Sequence, residues 1–116
     1  MVEPHRLPAF RAAHELAVAL HAALASAAVD PCGLGARLRR SAIAAAAAIV
    51  RAAPLPPEHR RDLLARARGR LDELGYALDL AERFGTFDLA TAVELLELQT
   101  RACLDLAVML GEIDGG

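Results

Sequence analysis

Apolar residues recur along this chain at alternating spacings of three and four, in four runs cut apart by proline and glycine, and that pattern admits little besides a bundle of helices. The cuts are Pro31 with Gly33, the stretch Pro54-Leu55-Pro56-Pro57, and Gly85. They predict helices over about residues 8–29, 34–53, 57–84 and 88–112. The first carries Phe10, Ala13, Ala17, Leu20, Leu24 and Ala27 on one stripe behind Pro8, a residue suited to a first turn. The second has Leu34, Leu38, Ala42, Ala45 and Ile49, and its run Ala44 to Ala48 leaves the helix small or apolar on nearly every face. The third starts at Pro57, carries Leu64, Ala67, Leu71, Leu74, Leu78 and Ala81, and meets Gly85 as a C-terminal cap. The fourth has Asp88 as N-cap, then Leu89, Ala92, Leu96, Gln99, Cys103, Leu106, Leu110 and Ile113, in which Gln99 is the one polar interruption.

A chain of 116 residues supports one domain with one core. Its 27 Ala and 20 Leu against only 3% aromatic residues mean that this core is built from small and aliphatic side chains, which favours helix over strand. Short connections make sequential helices antiparallel neighbours, so the expected fold is all-α, an up-down-up-down four-helix bundle. The apolar residues exceed what one bundle core consumes. Helix four has Leu95, Leu98, Ala102 and Met109 on a flank, and helix two is apolar almost all round. A second buried face follows, and with it a homo-oligomer. The longest apolar runs fall short of a membrane span, and Leu16 to Ala28 reads as helix rather than as a secretory leader. Two distant cysteines, Cys32 and Cys103, give neither a disulfide framework nor a zinc knuckle, which fits a reduced, cytoplasmic setting.

Charge is segregated along the chain. Residues 37–70 hold nine arginines and two acids, whereas residues 71–116 hold two arginines and ten acids; lysine is absent. Arg37, Arg39, Arg40, Arg51, Arg60, Arg61, Arg66, Arg68 and Arg70 are therefore the candidate surface for an anionic partner, RNA or a nucleic-acid-handling protein. The alternative is a purely structural homo-oligomer in which the acids of a neighbouring subunit consume this cluster. No aromatic residues alternate with the arginines, so base stacking has no platform and any nucleic-acid contact falls on phosphates.

No catalytic or metal constellation emerges, and no cofactor is expected. No Glu is followed three residues later by His, which removes the di-metal bundle motif. His14 and His21 lie two helical turns apart, about 10 Å, with Val18 between them, and read as boundary residues. Gly33-Leu34-Gly35 is no phosphate loop either, since it lacks a preceding strand, a third glycine and a lysine. Cys103 reads as a core thiol and Cys32 as a turn residue.

Several short stretches, taken in order, resemble a known family. Leu7 and Phe10 followed by Ala13-His14-Glu15-Leu16, then Gly33-Leu34 with Leu38-Arg39-Arg40-Ser41-Ala42-Ile43, then Gly69, Leu71, Glu73-Leu74, Leu80-Ala81 and Gly85, and last Glu94-Leu95-Leu96 are similar to the helical-bundle proteins encoded in intervening sequences of bacterial 23S ribosomal RNA genes. That family is related to the accessory protein of diversity-generating retroelements. The resemblance implies a non-catalytic homo-oligomer, commonly a five-membered ring, with RNA or a reverse transcriptase as partner. One stretch departs: where the family continues I-P-S-N-I-A-E-G, this chain has Ala45-Ala46-Ala47-Ala48-Ile49-Val50-Arg51-Ala52.

Overall fold

The computed structural model describes residues 3–27 and 30–114 and contains, among these, four α-helices and no strand. They are α1 (Pro8–Ala25), α2 (Leu34–Ala52), α3 (Pro57–Arg83) and α4 (Leu89–Asp114). Single 3-10 turns at Pro4–Arg6 and Pro31–Gly33 precede the first two. Helix α1 packs on α2 and α4, and α3 packs on the same two, so the helices surround one core in chain order. Leu7, Pro8 and Ala9 at the start of α1 lie beside Asp105, Val108 and Met109 near the end of α4, and Glu15 meets Arg101 at 3.6 Å, so these two helices run in opposite directions. The body measures 46 × 22 × 21 Å.

Local chemistry sets each boundary. Pro8 and Pro57 occupy first turns, where their missing N–H removes a donor that has no helical partner anyway. Helix α1 ends at Ala25, earlier than residue 29. Ser26 leaves the helical path, and its hydroxyl donates back to the carbonyls of Ala22 and Ala23 at 3.4 and 3.3 Å. Ala27 therefore lies past the helix it was assigned to, and residues 28 and 29 lie outside those described. Before α2, Cys32 and Gly33 both take positive φ, 58° and 65°. The Gly35 N–H donates to Asp30 Oδ1, anchoring the turn to the start of α2. At the end of α3, Gly85 adopts φ 82°, the Thr86 N–H donates to the Ala81 carbonyl and the Gly85 N–H to that of Glu82, a Schellman cap that satisfies two carbonyls left over by the helix. Asp88 opens α4 by accepting the Thr91 N–H at 2.7 Å.

The α2 and α3 stripes are buried at every position read from spacing. Helix α4 differs. Leu95 and Ala102 are core residues, with Leu98 and Met109 packed against the same core, so this flank is not the second face. Leu89, placed in the core by spacing, is 68% exposed. A helix wedged between two neighbours buries an arc wider than one heptad seam, and on α4 the centre of that arc lies between the two apolar rows.

Candidate interaction surface

The nine arginines do not form one patch. Arg60 serves the fold: its Nη2 donates to the carbonyls of Leu55 at 2.9 Å and Ala53 at 3.3 Å, closing the connection after α2. Arg40 and Arg70 line one hollow of about 400 Å³ between α2 and α3, with Ile43 and Ala44 at its floor and no acid among these lining residues. Arg70 also pairs with Glu73 at 3.7 Å on the exposed flank of α3. Arg39 belongs to a second hollow of about 300 Å³, between α1 and α2, lined with His14, Ala17, Val18, His21 and Ile43. Its Nε is buried without a hydrogen-bond partner. Arg68 lies toward α4, close enough to Cys103 for its charge to act on the thiol. Arg37, Arg51, Arg61 and Arg66 are exposed.

Arg37, Arg39, Arg40, Arg51, Arg66 and Arg68 make no ion pair among the described residues. The acids of α4 answer them only from a distance: Glu94, Glu97, Asp105 and Glu112 are likewise without an ion pair there. Among the described residues, helix α4 reaches the rest of the protein by a bridge from Arg101 to Glu15. Among the described residues, the chain thus carries unpaired arginines on one side and unpaired acids on another.

Uncovered apolar side chains accompany both. On the outer side of α4, Leu89 is 68%, Leu104 63% and Val108 62% exposed, with Val93 also exposed. Spacings of four between Leu89 and Val93 and between Leu104 and Val108, with eleven residues separating Val93 from Leu104, keep all four on one stripe. On the opposite diagonal, Val18 and Ile43 are exposed beside the Arg39 hollow, with Val50 farther along α2. Spacing alone missed the outer α4 stripe because it followed one apolar row as core. The signal was present as a second row with Leu89, Val93 and Leu104.

The remaining chemistry is structural. Cys103 is half-buried beside Gln99, whose Nε2 donates to the Leu71 carbonyl at 2.9 Å and approaches the sulfur at 3.2 Å. Burial, then the nearby Asp72 carboxylate, pushes the Cys103 thiol up, with Arg68 opposing. Among the described residues, no three of His, Cys, Asp and Glu gather as metal ligands would, and no helix is long and apolar enough to cross a membrane. No protein-family model and no curated protein matches the chain.

Proposed function

We propose that this protein is a non-catalytic, cytoplasmic helical-bundle subunit that assembles with copies of itself and uses its arginine-rich α2 and α3 surface largely in subunit contacts. The observation that carries this reading is the pairing of opposites on one chain: unpaired arginines beside exposed Val18 and Ile43, and unpaired acids beside exposed Leu104 and Val108. A polyanion would neutralise the first surface and leave the apolar stripe of α4 in water. A second copy covers both. The resemblance to the intervening-sequence bundle proteins supports the same reading and adds the expectation of a five-membered ring.

A second reading rests on a separate observation. Arg40 and Arg70 border one hollow without an acid in its lining, a geometry that suits a phosphate of RNA, whether bare or carried by a reverse transcriptase complex. One experiment separates the two. Light scattering at low and high salt, with and without a structured RNA, reads the mass of the particle. A multimer that persists in high salt and gains no mass from RNA supports the structural reading. RNA mass gained at low salt and lost at high salt supports phosphate contacts, since these release counterions. A single-chain mass in every condition refutes self-assembly.

A further inference from the structure

Because the two uncovered apolar faces lie on different helices, they need not meet their own copies. Helix α4 packs on α1 and α3, and the Arg39 hollow lies between α1 and α2, so the two faces occupy different sides of the protomer. We infer that the outer stripe of α4, centred on Leu104, seats in the α1–α2 hollow of a second copy of this chain, against Val18 and Ile43, in a head-to-tail contact. This rests on the self-assembly proposed above and specifies its interface.

Charge selects this pairing over its alternatives. Stripe against stripe would bring Glu94 and Glu97 of one copy toward those of another, and hollow against hollow would oppose Arg39 and Arg40 to themselves. Stripe against hollow places acids beside arginines at the border and apolar side chains at the centre, the order of a stable interface. The hollow has room for an inserted side chain, about 300 Å³, and its wall is Ala17, Val18 and Ile43. Arg39 lines this hollow and makes no ion pair among the described residues, so a carboxylate arriving from α4 supplies the opposite charge at its border. A contact between unlike faces leaves a stripe unused at one end and a hollow at the other, so it closes into a ring or extends as a fibre.

The test uses two variants of the full chain, each broken on one face: Leu104→Glu on α4 and Ile43→Glu beside the hollow. Both positions are more than 60% exposed, 63% and 62%, and circular dichroism checks that helicity is kept. Sedimentation of each alone is expected to give single chains. Mixed in equal amounts they are expected to form a 1:1 pair, because one retains the hollow and the other the stripe. A mixture that stays as single chains while the wild type assembles overturns the head-to-tail contact, and so does wild-type assembly by either variant alone, which would mean that another partner covers these faces. A wild type that is itself a single chain refutes the self-assembly on which the contact depends. Should either glutamate unfold the chain, Leu104→Ala and Ile43→Ala are each expected to raise the dissociation constant about tenfold, and an unchanged constant overturns the pairing.

Discussion

Gln99 is the residue whose role spacing brought out but packing had to explain. In α3, Gly75 leaves room for the Gln99 amide, whose Nε2 would lie 2.8 Å from a Cβ at that position, and the amide thereby reaches the Leu71 carbonyl. That carbonyl already accepts a bond within α3, so the glutamine supplies a second one and no orphaned group remains without it. Gln99→Leu is expected to change the unfolding free energy in urea by less than about 1 kcal/mol. Because a Cβ at position 75 would meet only the end of a flexible side chain, Gly75→Ala is expected to change stability by no more than about 1 kcal/mol, with better helix propensity offsetting the displaced glutamine bond, and a much larger loss would show that Gln99 is locked in place. The cysteines separate in the same way. Cys32 is exposed, whereas Cys103 is half-buried with its thiol held protonated, so iodoacetamide near neutral pH is expected to label Cys32 quickly and Cys103 only as the chain unfolds. Mass spectrometry of the labelled peptides reads the order directly.

At the scale of helices, legibility followed the contrast between faces. Helix α3 has one apolar row bounded by charge, so Leu64, Leu71, Leu74 and Leu78 could be assigned to the core from spacing, and all are fully buried. Helix α4 has apolar residues on several rows, and only the positions of α1 and α3 decide which are inside. Sequence spacing cannot encode that decision, which is why Leu89 and Leu95 exchanged places. The ends were read more readily because capping is local, as at Gly85 and Asp88. The carboxylate of Asp88 sits below its ordinary value, first because it accepts the Thr91 backbone N–H and then because it bonds the Thr91 side chain. A depressed carboxylate stabilises the fold at pH values above its unfolded pKa, and that contribution is lost as pH falls through the folded one. Asp88→Asn is therefore expected to melt below the wild type at pH 7, with the gap narrowing as the pH falls below about 4. A gap that stays constant across this range would mean that the side-chain charge contributes nothing to the cap.

For the whole molecule, the charge imbalance was visible as a property of segments, but its geometry was not. Nine arginines within residues 37–70 look like one patch in sequence, yet Arg60 closes a loop, Arg39 faces α1, Arg68 faces α4, and Arg40 and Arg70 share a hollow. Consecutive residues on a helix point in directions about 100° apart, so a dense run distributes its charge around the axis. What the run does preserve is sign: among the described residues Arg37, Arg39, Arg40, Arg51, Arg66 and Arg68 make no ion pair, and Arg70 pairs with Glu73 on its own helix. The proposed assembly would tie folding to concentration, because copies would bind the folded state and not the unfolded one. Raising the concentration of protein tenfold is expected to add up to about 1.4 kcal/mol of apparent stability and to lift the melting temperature by a few degrees. Leu104→Glu should melt at the same temperature at every concentration, since its exposed position contributes little to the protomer itself. Scanning calorimetry over a hundredfold dilution checks both, and a wild-type melting temperature independent of concentration would show that the apolar stripe of α4 remains in water.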